Sequence, residues 1–284
     1  MRLIKVLAGA LVSLAAIAAV IWWVVRPDIA NVRGRRVEVQ VLGQGHPAVV
    51  FESGFESSRL LWWFAQHRVA KITQTVTYAR AGTGESDPSG LPRTAEQIAV
   101  ELHDLLATLH VAPPYILVGH SAGGLYVRVF AHRYPNELAA LVLIDPASAE
   151  DYDRMRTQAP AKWAQTSEKL AKLGTRSGLL GQWQSLPESL EQSRRAWPLP
   201  AVPTVVLTST KPTGTWPLES AGDVSAFSRS QTELVQRIRG CSQILVPDTN
   251  HLSILGSTAV SDQIVSLIKM GAAAGPKSQP RSAH

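Results

Sequence analysis

Residues 116–124 read ILVGHSAGG, with Ser121 at the centre between Gly119 and Gly123. A serine hydroxyl is a weak nucleophile near neutral pH and attacks a carbonyl only when a base stands within hydrogen-bond reach. Gly-x-Ser-x-Gly alone is a weak signal, so its context decides. The apolar run Tyr115–Val118 precedes it, and AGGLYVRVFAHRYP follows as a helix ending at Pro135. A serine on such a strand-turn-helix takes a strained backbone conformation that projects its hydroxyl. Gly119 and Gly123 then remove side chains that would collide as strand and helix close, and Ala122 and Gly124 keep the crossing narrow.

The base must be one of eight histidines. His120 adjoins Ser121 and, as a neighbour on a strand, points away from it. His103, His110 and His132 fall in helical stretches, His46 and His67 lie in the first quarter, and His284 is in the tail. His251 alone follows the last apolar strand, Gln243–Val246, where a parallel sheet brings it to the edge that carries Ser121.

The elements that would hold these residues are legible as alternating runs. Arg36–Leu42, Ala48–Glu52, Thr75–Tyr78, Tyr115–Gly119, Ala140–Asp145, Thr204–Ser209 and Gln243–Val246 read as strands. Leu60–Ile72, 122–134, around 229–239 and 257–270 read as helices. Thr94 caps another, whose Ile98, Leu102, Leu105, Leu106 and Leu109 share one face. This order predicts an α/β fold, a mostly parallel sheet with helices on both faces. The core is expected over 34–147 and 201–270. Residues 148–200 lack a strand-like run and carry Trp163, Trp183 and Trp197, which predicts a helical lid. The tail 271–284, GAAAGPKSQPRSAH, is too small and polar to bury anything and predicts disorder. There is no internal repeat.

Lys and Arg number 28 against 22 Asp and Glu, but the basic residues are scattered, which argues against a nucleic-acid partner. The single cysteine, Cys241, excludes an internal disulfide and a cysteine zinc site, and no cofactor is expected. Val6–Val25 carries no charge after a short basic start. At about 1.5 Å per residue it spans roughly 30 Å, with Trp22 and Trp23 where an interfacial belt would lie. Segment 1–26 is therefore expected to be an uncleaved anchor, with a cleaved signal peptide as the rival. On that reading the protein sits at a bacterial inner membrane with its catalytic domain outside the cytoplasm.

Taken together, these segments resemble the serine-nucleophile α/β-hydrolases over roughly residues 36–270. Phe51-Glu-Ser-Gly54-Phe55 resembles the family's oxyanion turn. Tyr78-Ala-Arg-Ala-Gly82-Thr-Gly84-Glu-Ser86 resembles the turn after its fourth strand, with Ala79 in place of the usual acid. Asn250-His251 resembles its histidine loop. The resemblance implies a triad of Ser121, His251 and an acid, with the oxyanion held by the backbone N–H groups of Ala122 and Phe55. The acid's usual place, in and after the strand within Val202–Pro212, carries no carboxylate. Some branches place the acid one strand earlier, and Asp145 ends the buried run Leu141–Ile144, where an unpartnered carboxylate would be costly. Asp223, Asp248 and Glu219 stay open as alternatives. The expected activity is hydrolysis of a carboxylic ester, or similar acyl bond, of a small apolar molecule through an acyl-enzyme. A serine argues against haloalkane or epoxide opening, which in this fold resembles an aspartate-dependent branch. Acyl transfer, cofactor-free perhydrolysis and a non-catalytic tethered binding module are the rivals. Trp62 and Trp63 join the insertion's tryptophans as candidates to line the substrate site.

Overall fold

The computed structural model describes residues 26–55, 58–174, 177–212 and 224–273. Among them an eight-stranded sheet is formed by β1 (Asp28–Val32), β2 (Arg35–Leu42), β3 (Ala48–Glu52), β4 (Thr75–Tyr78), β5 (Tyr115–His120), β6 (Leu138–Ile144), β7 (Thr204–Ser209) and β8 (Ser242–Val246). Its order is β1-β2-β4-β3-β5-β6-β7-β8. The six strands from β4 to β8 are parallel, and β2 and β1 are antiparallel additions at one edge. The central strands β3, β4 and β5 are buried along their whole length, as a sheet covered on both faces requires.

Alternation along each strand separates two cores. Ile116 and Val118 of β5 join one core with α1 (Trp63–Val69) and the C-terminal helix α9 (Thr258–Ala273). Leu117 joins the other, formed with α2 (Ala95–Thr108), α3 (Gly123–Arg133) and α8 (Val224–Arg237). Between β6 and β7 lies a four-helix insertion: α4 (Ala149–Gln158), α5 (Pro160–Ala171), α6 (Gly178–Gln184) and α7 (Leu186–Arg195). It rests on the second core through Tyr152, Met155, Trp183, Leu186 and Leu190.

Three sequence expectations change. Strand β1 precedes the expected core start at residue 34 and pairs with β2 across a turn whose Arg33 and Gly34 both have positive φ. Helix α9 continues to Ala273, into the segment expected to be disordered, and the rest of that tail lies outside the described residues. The expected location at a bacterial inner membrane is overturned. Among the described residues no helix is long and apolar enough to cross a membrane. The longest, α9, has 16 residues, or about 24 Å against a hydrocarbon core of roughly 30 Å. Residues 1–25, on which the anchor expectation rested, lie outside the described residues.

The parallel register sets up the site. Glu52 pairs with Gly119, His120 with Ile144, Ile144 with Leu207, and Ser209 with Val246. The strands thus end in line, and the loops carrying Gly54, Ser121, Asp145 and His251 emerge at one edge.

Candidate active site

Ser121 follows β5 directly and adopts φ +54°, a left-handed conformation rare for a side chain with a Cβ. Backbone bonds hold that strain. Ser121 N–H donates to Ile144 O (3.1 Å), and its carbonyl accepts from Gly124 N (2.9 Å) and Ala147 N (2.9 Å). The glycines around it are close-approach positions. A Cβ at Gly119 would lie 2.7 Å from Val127 of α3, so this glycine does let strand and helix close. Gly123 faces a different neighbour, since a Cβ there would overlap the backbone carbonyls of Glu52 and Ser53 at the end of β3.

Asp145 follows β6 with φ +40° and is fully buried. Its Oδ1 accepts from Ser209 N (2.7 Å), while Oδ2 lies 3.4 Å from His251 Nδ1. Ser121, Asp145 and His251 line one cavity of about 10 Å³ together with Ala147, Asp151, Tyr152 and Phe227. Asp248 is elsewhere. It pairs with Lys211 at the surface (2.7 Å), and that hydrogen bond holds its carboxyl below its ordinary value. Asp223 and Glu219 lie outside the described residues.

Ala122 is the N-cap of α3, at the positive end of its dipole. The turn at Gly54 and Phe55 passes close over the serine, because a Cβ on Gly54 would stand 3.1 Å from Ser121 Cβ. Phe55 meets Tyr152 edge-on at 6.1 Å and Trp183 at 6.0 Å. Trp183 in turn packs on Trp163 at 4.4 Å with the rings tilted by 36°, so these aromatics run back from the turn into the insertion. Trp62 and Trp63 do not line the cavity. Trp62 packs on Phe51 at 5.0 Å and donates to Ser53 Oγ (2.8 Å), and Trp63 packs on Phe64 and His67.

Two features escaped the sequence reading. His120 is buried, its ring 4.5 Å from that of His251, and its Nε2–H donates to the His251 carbonyl (2.8 Å). Burial lowers its pKa to about 3, assisted by the neighbouring His251, so the ring stays neutral. Beneath the Gly54 turn, Arg80 pairs with Glu52, and both are almost wholly buried. Burial raises the Glu52 pKa against the opposing pull of Arg80, and Tyr78 also donates to its carboxyl. The signal was present as two opposite charges, each ending a buried strand run. They are 28 residues apart and only the sheet order makes them neighbours.

A family model described as the alpha/beta hydrolase fold matches residues 47–234. The putative carbamate hydrolase RutD of Cronobacter turicensis is 36% identical over 103 residues, covering 36% of this chain and 38% of its own length. The chain spans less than two thirds of the length of the curated relatives it matches. The enol-lactonase from Burkholderia xenovorans LB400 superposes with a TM-score of 0.63 at 20% identity, over 85% of this chain and 100% of that one. The haloalkane dehalogenase DbeA from Bradyrhizobium elkani USDA94 does so with 0.65 at 16% identity, over 87% and 99%. These two likenesses are of fold alone. With its sheet order, its serine turn and a family match over most of its core, the chain belongs to the α/β-hydrolase fold family.

Proposed function

We propose that the protein is a serine hydrolase that cleaves a carboxylic ester, or a closely similar acyl bond, through an acyl-enzyme on Ser121. The carrying observation is the meeting of Ser121, His251 and Asp145 in one cavity, with Asp145 3.4 Å from His251 Nδ1. In this reading Nδ1 serves Asp145 and Nε2 is the nitrogen that serves the serine. His251 takes the Ser121 proton as Oγ bonds to the acyl carbon, and the carbonyl electron pair moves onto oxygen. The N–H groups of Ala122 and Phe55 receive that oxyanion. The intermediate collapses, and the leaving alkoxide carries away the proton held by His251. Water then repeats the sequence on the acyl-enzyme, releasing the acid and restoring Ser121. Asp145 holds the ring and offsets its transient charge.

The insertion helices act as a lid in this reading. Asp151, Tyr152 and Phe227 leave little room at the serine, which favours a short acyl group. The fold is shared with a dehalogenase, yet the residue on the turn is serine. A fluorophosphonate probe should label the protein, and Ser121→Ala should abolish labelling. Asp145→Asn should cut kcat roughly 10³–10⁴-fold on a short-chain ester, as loss of the orienting acid does in triads. Asp248→Asn should leave kcat within about threefold, because an exposed pair contributes little. An unlabelled, folded wild-type protein would sink the serine reading. Equal effects of the two aspartate substitutions would move the acid elsewhere.

A further inference from the structure

Arg80 does more than neutralise Glu52. Its Nη1 donates to Glu52 and to Ser53 O (2.8 Å), and its Nη2 donates to Gly54 O. Nε and Nη2 both reach Gln182 Oε1 of α6, at 3.1 and 2.8 Å. The guanidinium also lies 4.9 Å above the Tyr126 ring. A buried ion pair carries a desolvation cost that mutual attraction offsets only with good geometry and further hydrogen bonds. Here those further bonds run to two consecutive carbonyls of the turn above Ser121. The carbonyl of Gly54 and the N–H of Phe55 belong to one trans peptide plane, in which C=O and N–H point in opposite directions.

We propose that Arg80 is the positioning residue of the oxyanion site: by holding the Gly54 carbonyl beneath the turn, it aims the Phe55 N–H up toward Ser121. The inference rests on the acyl-transfer reading and extends it to a residue outside the triad. A cation on the carbonyl also polarises the peptide and strengthens its N–H as a donor. Gln182 holds the guanidinium from the other side, so a residue of the insertion takes part in setting the turn. Gly178 N–H, which donates to Gly82 O (2.9 Å), fastens the same helix to the loop that follows Arg80.

The test pairs Arg80→Met with Glu52→Gln, so that no lone charge is left buried. A separate sample of wild-type protein is checked for fluorophosphonate labelling; unlabelled wild type and variant are then assayed on a short-chain ester and titrated with an alkyl boronic acid, which forms a tetrahedral anion on the serine. A misaimed donor acts only on the developing oxyanion. The expected result is a fall in kcat of roughly 10²-fold with KM within about threefold, and a parallel loss of boronate affinity. Should the double variant not fold, Arg80→Lys serves. One ammonium cannot hold both carbonyls and Gln182 in the fork geometry, so roughly a tenfold loss in kcat and boronate affinity is expected. Wild-type kcat and boronate affinity in a folded variant would overturn the proposal, as would a loss confined to KM. Absent labelling of the wild type would instead remove the serine reading beneath it.

Discussion

At the scale of single residues, the site depends on groups that never meet substrate. His120 shows how a neighbour in the motif supports the histidine proposed as the base. Its Nε2–H holds the backbone carbonyl of His251, so the loop that carries the proposed base is tied to the strand that leads to the proposed nucleophile. The bond can be donated in either protonation state and favours the charged ring, but burial outweighs it and keeps the ring neutral down to about pH 3. In the unfolded chain the same histidine protonates near its ordinary value of 6.5. Between these values the unfolded state binds one more proton. Stability is therefore full above about pH 6.5 and is lost as pH falls toward 3, at up to about 1.4 kcal/mol per pH unit. His120→Gln keeps a donor and removes the titration. The stability difference between pH 7 and pH 5, measured by urea unfolding, should shrink by about 2 kcal/mol in the variant. An unchanged difference would show that His120 is not neutral in the folded protein.

Among elements, the β5–Ser121–α3 turn and the end of β3 form one closely fitted unit. Gly123 is where they touch, and its neighbours there are backbone carbonyls with no rotamer to yield. Gly123→Ala should therefore push Glu52 and Ser53 aside, and with them the turn over the serine. We expect a stability loss of about 1–3 kcal/mol accompanied by a fall in kcat. Gly256→Ala, which meets open space, should do neither. Denaturant midpoints and turnover of the two variants check this, and equal behaviour would refute it. The same elements show what was legible in advance. β3, β5 and β6 announced themselves as apolar runs, and Ser121 and His251 were singled out at the edge where such strands end, while Asp145 was favoured as the acid with Asp223, Asp248 and Glu219 left open. Strand β1 did not, because DIANV has only Ala30 and Val32 to turn toward the core, an alternation too short to stand out without its register with β2. Its signal was the Arg33-Gly34 turn, whose two positive φ values suit a tight hairpin. The Arg80–Glu52 charges were visible but not their pairing, which exists only once β4 lies beside β3.

For the molecule as a whole, the insertion between β6 and β7 is not one rigid body hinged on the core. The first turn of α2 leaves N–H groups without partners in its own helix, and the insertion supplies them. Ala95 N donates to Ser189 Oγ (3.0 Å) and Glu96 N to Gln192 Oε1 (2.9 Å), while Arg93 N, just before the helix, donates to Ser185 Oγ (3.0 Å). Arg128 of α3 reaches Ser193 Oγ (3.3 Å), and Gln182 meets Arg80. Ser189, Gln192, Ser193 and Gln182 are all buried, so detaching α6 and α7 would strand polar groups on both sides of the joint. Helix α5 has no buried residue and, among the described residues, makes no hydrogen bond to α2 or α3; it meets α6 through Trp163 on Trp183 and Ser167 Oγ, which accepts from Trp183 Nε1 (2.9 Å). Any lid motion therefore belongs to α5 and the adjoining end of α4, over a fixed floor of α6 and α7. Hydrogen exchange resolved by segment should show α5 amides exchanging through local opening, nearly independent of denaturant. Amides of α6 and α7 should exchange only with global unfolding, at the rate of the α3 amides and with the full denaturant dependence. Uniform exchange across α4–α7 at the local rate would mean that the whole insertion lifts as one piece. The buried bonds to α2 would then have to be remade at every opening, and that cost is the reason to expect the split.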